Sequence, residues 1–170
     1  KPVMQQQNMT DLCRQAVFLQ RNANPHVTYE AVLPDEPVQL VCDGRQVSQV
    51  VTNLLQNACD AINGREGDNL PDGRIELRLR LSEAGVDIEV QDNGRGLPVE
   101  HRDRLTEPYV TTREKGTGLG LAIVKKIMED HGGRLILNDA PERGAIVRLE
   151  FPRQDNLKTG DQEERAPHGA

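Results

Sequence analysis

Apolar residues recur at helical spacing in three stretches of the chain. The strongest signal runs from Gly44 to about Asn63, and weaker ones cover 8–20 and 117–131, where Gly132-Gly133 ends the pattern. The long helix has one continuous apolar stripe, formed by Val47, Val50, Val51, Leu54, Leu55, Ala58 and Ile62. Three helices are therefore predicted, each with one face turned to a core.

Local sequence also predicts how two of these helices are faced and capped. Leu12, Ala16 and Leu19 lie at helical spacing in the first helix and are expected to share its buried face. Asp43 stands just before the long helix, and Gln46 follows three residues later. This spacing predicts a capping box, in which Gln46 returns a hydrogen bond to the Asp43 backbone N–H.

Strands are indicated where apolar runs are short or alternate with polar residues. The predicted strands cover 27–33, 38–42, 74–81, 86–90, 134–137 and 145–151. The order along the chain is helix, two strands, helix, hairpin, a loop of about 25 residues, helix and two strands. This order predicts a two-layer α/β sandwich. Residues 1–153 are expected to form one domain, and the polar residues 154–170 are expected to be a disordered tail.

Composition narrows the function classes. The 21 Lys and Arg against 27 Asp and Glu give a formal net charge of -6, which argues against nucleic acid as a partner. No apolar run is long enough for a transmembrane helix. Cys13, Cys42 and Cys59 form no C-x-x-C pair and are expected to be buried free thiols. The chain begins at Lys1 and is expected to be part of a longer protein.

Asn53, Asn57 and Asp60 follow one strip of the long helix, roughly opposite its apolar stripe. Amide and carboxylate oxygens are hard ligands, suited to a Mg²⁺ ion that also holds phosphates and water. The alternative is an ordinary solvated helix face.

A second polar element, Asp92 to Pro98 (DNGRGLP), follows the predicted hairpin. Gly94 and Gly96 let the backbone turn and a ligand approach closely. A carboxylate at Asp92 can accept a hydrogen bond from an exocyclic amine such as that of adenine. The alternative is a simple Asp-Asn-Gly turn.

A third element, Gly116-Thr117-Gly118-Leu119-Gly120, opens the last helix. Bare N–H groups at a helix N-terminus bind phosphate. The rival interpretation is a dinucleotide-binding fingerprint, but this needs a hydrophobic strand just before the glycines, and PYVTTREK is a poor one. A P-loop is excluded because its motif is absent.

Taken together, these elements resemble the ATP-binding catalytic domain of sensor histidine kinases. Residues 49–62 (QVVTNLLQNACDAI) resemble the N box, DNGRGLP the G1 box, GTGLGLAIV the G2 box, LTEPYVTTR the F box, and Arg143-Gly144 the final glycine box. The resemblance covers roughly residues 8–152 and is greatest to nitrogen-regulation kinases of the NtrY type. It implies a Bergerat ATP-binding fold, with a mixed sheet, three helices and an ATP lid.

The resemblance also implies roles for individual residues. Asn57 would hold Mg²⁺, with Asn53 and Asp60 completing the N box, and Asp92 would recognise adenine. The residues expected to line the nucleotide site are Asn57, Asp60, Asp92, Gly94, Gly96, Thr112, Gly116, Thr117, Gly118, Leu119 and Gly120. Arg113 or Lys115, in the lid, would bring positive charge to the γ-phosphate, and with Asn53 and Asn57 they are the candidate catalytic residues.

The function implied is transfer of the γ-phosphate of ATP to a histidine on a separate dimerisation domain, followed by relay to a response regulator. None of His26, His101, His131 and His168 lies in the helical context of such an acceptor, so this chain alone is not expected to autophosphorylate. The longer protein would be a homodimer with this domain in the cytoplasm, anchored in the inner membrane. The alternatives are a serine kinase or ATPase of the same superfamily, or a degenerate nucleotide-binding interaction module. Related ATPases place a general-base Glu where Asn53 stands.

Overall fold

A computed structural model describes residues 1–98 and 118–153 of the chain. It contains three helices, α1 (Met9–Ala23), α2 (Gly44–Asn63) and α3 (Gly118–Asp130). The strands are β1 (Gln5–Asn8), β2 (Thr28–Val32), β3 (Gln39–Cys42), β4 (Arg74–Leu81), β5 (Gly85–Asp92), β6 (Arg134–Asp139) and β7 (Ala145–Pro152). The predicted tail and most of the predicted lid lie outside the described residues.

Five strands form a mixed sheet in the order β2-β4-β5-β7-β6. β2 pairs with β4 in parallel, whereas β4–β5, β5–β7 and β6–β7 are antiparallel. The three helices pack together and on one face of this sheet, and β5 lies at its centre. The predicted two-layer α/β sandwich with a mixed sheet is therefore confirmed.

The core lies between the helices and the sheet. All seven apolar residues of the α2 stripe are buried, and so are Ile75, Leu77 and Leu79 of β4 and Val86, Ile88 and Val90 of β5. Each fully buried Val, Leu or Ile contributes about 1.5–3 kcal/mol relative to an exposed side chain. The stripe therefore fixes which face of α2 is left for polar residues.

The opposite face of the sheet carries charged side chains that pair with each other, both across neighbouring strands and along β7. Arg134 and Glu150 lie 2.6 Å apart, and Arg148 lies 3.1 Å from Glu150 and 3.9 Å from Glu89. Charge alternation of this kind is compatible with a solvated sheet face.

The predicted face of α1 is wrong at one position. The helix buries Met9, Cys13, Ala16 and Val17, while Leu19 is 57% exposed. The packed stripe is therefore rotated relative to the predicted one, because Met9 is buried at the start of the helix and Cys13 and Val17 continue its face at helical spacing.

β1 was not predicted from sequence. Its residues, Gln-Gln-Gln-Asn, have little intrinsic preference for strand. The strand forms because it pairs antiparallel with β3, in a small ribbon that is separate from the main sheet. This pairing joins segments about 35 residues apart in the chain, which local pattern cannot reveal.

The predicted capping box is half right. The Asp43 Oδ1 atom accepts hydrogen bonds from Arg45 N (3.1 Å) and Gln46 N (3.2 Å), so Asp43 does cap α2. Its own N–H, however, donates to His131 Nε2 at 3.0 Å rather than to the Gln46 side chain. His131, which is distant in the chain, thus accepts the hydrogen bond that the neighbouring Gln46 side chain was expected to accept.

His131 is a buried link between the end of α3 and the start of α2. Its Nδ1 lies 2.8 Å from the Ile127 carbonyl oxygen, and the ring meets Phe151 edge-on at 6.1 Å. Because the carbonyl can only accept, Nδ1 carries the proton and Nε2 is free to accept from Asp43. The expectation of a structural histidine holds at this position.

The three cysteines are free and buried, as predicted. Burial raises the pKa of the Cys13 thiol to about 12. Burial, followed by the negative charge of Asp43, raises that of Cys42 to about 11. These thiols behave as small core residues.

Asp43 gives a testable acid dependence of stability. The Val3 N–H, which donates to Oδ2 at 2.8 Å, and the N–H groups of Gln46 and Arg45 hold the pKa of the carboxyl below its usual range. A lowered folded pKa means that the stabilisation is present above about pH 4 and is lost as pH falls through the folded pKa. We expect the difference in unfolding free energy between wild type and Asp43→Asn to shrink below pH 4.

Urea unfolding at a series of pH values from 7 to 3 measures this difference. Asp43→Asn is suitable because its amide oxygen can still cap α2. The exposed Asp35→Asn removes the same charge and is the matched control. Parallel stability curves for wild type and Asp43→Asn would show that the carboxylate charge does not contribute.

Candidate nucleotide site

The polar strip of α2 is half-buried at Asn53, Asn57 and Asp60. Gln56 Nε2 donates to Asp60 Oδ1 at 3.0 Å, so the Asp60 carboxylate is already oriented along the helix. The amide of Asn57 lies on the same strip one turn earlier. This set of hard oxygen atoms is chemically suited to Mg²⁺, which takes few protein ligands and completes its octahedron with phosphate and water.

Asp92 is the last residue of β5 and is 6% exposed. Strands on both sides hold β5, so the position of Asp92 is fixed by the centre of the sheet. Its Oδ1 accepts from Gly94 N at 2.8 Å and from Ala145 N at 3.4 Å. The carboxylate is thereby fixed in orientation at the end of a central strand.

The turn after Asp92 packs directly on α2. A Cβ on Gly94 would lie 2.6 Å from both the carbonyl carbon and the Cβ of Ala61, and Arg95 N donates to Ala61 O at 3.0 Å. Only glycine can occupy position 94 without moving the helix. Gly96, at φ +85°, continues the turn in a conformation that other residues rarely adopt.

This contact brings the two predicted elements together. Ala61 follows Asn57 by four residues, which places them on the same face of α2 and about 6 Å apart along its axis. The turn that begins at Asp92 therefore lies beside the helical strip that carries Asn57. The sequence predicted both elements, and the structure brings them to one region.

Gly144, which the sequence matched to the final glycine box, and Ala145 also belong to this region, although neither was among the residues expected to line the nucleotide site. Gly144 has φ +99°, and a Cβ there would overlap the Asp92 carbonyl oxygen. Its carbonyl oxygen lies 3.5 Å from the Cβ position of Gly96. The signal available in the sequence was a glycine at the start of the closing strand, opposite the glycine-rich turn.

The third predicted element is only partly described. α3 begins at Gly118 and packs against α2 and β6. Gly120 is half-buried within its first turn. Thr112, Arg113, Lys115, Gly116 and Thr117 lie outside the described residues, and so does the placement of the Leu119 side chain. The phosphate-binding prediction requires exposed N–H groups at the start of this helix, and it stays a prediction because the residues leading into α3 lie outside the described residues.

Residues 42–155 match the family described as histidine kinase-, DNA gyrase B-, and HSP90-like ATPase. The chain belongs to this family. The buried Asp92, the glycines beside it and the polar strip of α2 are therefore elements of a histidine kinase-like ATPase domain.

Relatives at the level of sequence are sensor kinases. The nitrogen regulation protein NtrY of Azorhizobium caulinodans is 53% identical over 151 residues, which cover 88% of this chain and 19% of that protein. A putative sensor histidine kinase NtrY-like of Rickettsia conorii is 37% identical over 150 residues, covering 88% of this chain and 24% of that protein. The chain thus spans about a fifth to a quarter of these relatives and corresponds to their ATP-binding catalytic domain.

Solved structures lead to the same family. The catalytic domain of histidine kinase ThkA superposes with a TM-score of 0.76 at 29% identity, covering 88% of this chain and 95% of that one. The mycobacterial sensor histidine kinase MprB gives a TM-score of 0.73 at 27% identity, covering 88% and 97%. No helix in residues 1–98 or 118–153 of this kinase-like domain has both the length and the apolar character to cross a bilayer.

Proposed function

We propose that this domain binds Mg²⁺-ATP and transfers the γ-phosphate to a histidine on a separate helical domain of the same, longer protein. The observation that carries the proposal is the packing of the Asp92–Arg95 turn on Ala61, one helical turn from Asn57. A base-recognising carboxylate and a cation-binding amide are thereby held on one rigid framework. Phosphoryl transfer asks a protein mainly for such positioning and for neutralisation of charge.

Different elements of the domain would bind the adenine, the Mg²⁺ ion and the phosphates of ATP. Asp92 would accept from the exocyclic amine of adenine, Gly94 lets the turn pack on Ala61, and Gly96 would let the base approach the backbone of the turn. Asn57, supported by Asn53 and Asp60, would hold Mg²⁺, which neutralises phosphate charge when bound. The start of α3, with Gly118 and Gly120, would offer backbone N–H groups to the phosphates. Thr112, Arg113, Lys115, Gly116 and Thr117 would complete this end of the site.

The same proposal implies which domains and proteins this domain works with, and where in the cell it lies. The acceptor is a neutral imidazole on a dimerisation domain, so the longer protein would act as a homodimer and pass its phosphoryl group to a response regulator. The use of ATP and the three free cysteines support a cytoplasmic location for the domain, and the longer kinase would be anchored in the inner membrane. The name of the Azorhizobium relative suggests nitrogen supply as the signal.

The direct test combines this domain with the separately prepared dimerisation domain of the same protein and ATP labelled on the γ-phosphate. We expect acid-labile, base-stable label on the dimerisation domain and none on this chain. Acid-stable label would indicate a serine kinase instead, and rapid release of inorganic phosphate would indicate an ATPase. Absence of any ATP binding in calorimetry would favour a pure interaction module.

Asn57→Ala is expected to reduce phosphotransfer at least about 100-fold, the usual scale for losing one charge-stabilising group in an active site. It should also abolish the increase in nucleotide affinity that Mg²⁺ produces, because the amide oxygen is the proposed ligand. Calorimetry with ATP, with and without Mg²⁺, measures the second effect.

Thr52→Ala, on an exposed position of the same helix, is the matched control for Asn57→Ala. An Asn57→Ala domain that still binds ATP more tightly with Mg²⁺ would remove Asn57 from the cation site.

A further inference from the structure

Asn93, the residue after Asp92, has both ends of its side-chain amide bonded to the segment that leads into β4. Its Oδ1 accepts from Arg74 N at 2.8 Å, and its Nδ2 donates to the Asp72 carbonyl oxygen at 2.8 Å. Its backbone N–H donates to Arg74 O at 3.3 Å. Three hydrogen bonds therefore fix this single half-buried residue to two neighbouring residues.

These hydrogen bonds lie at the point where the pairing of β4 and β5 ends. The regular β4–β5 ladder ends where Ile75 faces Asp92. One step further the Asn93 side chain supplies the acceptor for Arg74 N–H that a backbone carbonyl would supply in a continuing ladder. The main chain is thus free to leave the sheet after Asp92 and turn toward Ala61, without leaving a strand N–H unsatisfied.

Asparagine is the residue type that can make both side-chain hydrogen bonds at position 93. An amide provides one acceptor and two donor hydrogens at the end of a short side chain. Aspartate would present a second acceptor to the Asp72 carbonyl oxygen, where repulsion replaces a hydrogen bond. Alanine would provide neither partner.

We propose that Asn93 is a positioning residue for base recognition, which sets the affinity for adenine nucleotides and the preference for adenine over guanine by fixing the direction of the Asp92 carboxylate. The inference rests on the proposed function, since it concerns the same site. Asn93 acts through Asp92. Adenine presents an amino group to that carboxylate, whereas guanine presents a carbonyl oxygen at the corresponding ring position, so a misdirected carboxylate loses more with adenine.

Calorimetry with ATP, and competition by GTP, tests this with Asn93→Ala and Asn93→Asp. We expect Asn93→Ala to weaken ATP binding about tenfold, which corresponds to about 1.4 kcal/mol, because a misdirected Asp92 carboxylate loses its hydrogen bond to adenine. GTP binding should change less than twofold. Asn93→Asp, which retains the acceptor for Arg74 N–H, should lie between wild type and Asn93→Ala. Asn22→Ala, an exposed asparagine of α1, should match wild type.

The outcomes separate the two proposals. Failure of the wild-type domain to bind ATP would overturn the proposed function itself. If wild type binds, an unchanged ATP-to-GTP preference in both Asn93 variants, or an equal loss for the two nucleotides, would overturn the role of Asn93. Circular dichroism identifies a variant that does not fold. If Asn93→Ala is such a variant, the preference of Asn93→Asp decides alone.

Discussion

A Gly144→Ala domain is expected to unfold at a much lower urea concentration than wild type, with a loss of about 2–5 kcal/mol in the free energy of unfolding. Two costs add. Alanine at φ +99° is strained by about 1–2 kcal/mol. Its Cβ would also overlap the Asp92 carbonyl oxygen and lie 2.9 Å from Asn93 Cα, and crowding of this kind costs about 1–3 kcal/mol. ATP binding should weaken as well, because the displaced backbone belongs to Asp92.

Gly67→Ala is the matched control for this prediction. Gly67 has a similar φ of +110°, but no atom lies within 4 Å of the position of its Cβ. It should lose only the conformational strain of about 1–2 kcal/mol and keep wild-type affinity for ATP. Equal losses in the two variants would mean that Gly144 does not press against the Asp92 strand as described.

Asp92→Asn is expected to abolish most ATP affinity while leaving the fold nearly as stable as wild type. Its amide oxygen can still accept from Gly94 N and Ala145 N, so the turn keeps its hydrogen bonds. A hydrogen bond from adenine to an ionised carboxylate contributes about 1.5–3 kcal/mol, and its loss corresponds to roughly 10- to 150-fold weaker binding. Calorimetry measures the affinity, and urea unfolding measures the stability.

Asp35→Asn, on an exposed turn between β2 and β3, removes the same formal charge far from the proposed base site. It should bind ATP as wild type does. An Asp92→Asn domain that binds ATP equally well would show that Asp92 does not recognise the base.

The parts of the fold that follow from sequence are those with dense local signals. α2 was predicted within its observed bounds, because seven buried apolar residues at helical spacing and an Asp43 cap all indicate the same helix. β1 has no such signal, since its glutamines become a strand only through pairing with β3. Gln46 was expected to bond the Asp43 N–H by a local rule, and His131, 88 positions away from Asp43, took its place.

The candidate site divides in the same way. Asn57, Asp92 and the glycines of the turn were predicted because their residue types carry chemistry that a sequence motif records. The contributions of Asn93 and Gly144 depend on strand register and on close backbone approach, so they appear only in three dimensions. Arg113 and Lys115 stay predictions, because they lie outside the described residues.

The hydrogen bond between Asp43 and His131 has a mechanical consequence for the two helices that flank the proposed nucleotide site. It ties Asp43, just before α2, to His131, just after α3, so a relative rotation of the two helices that keeps this bond would pivot there. α3 is about 20 Å long, and a rotation of roughly 5° about that pivot would displace its opposite end by roughly 2 Å. The helix start proposed to bind phosphate is the end of α3 farthest from the Asp43–His131 bond. A small rotation about that bond therefore displaces it more than any other part of the helix.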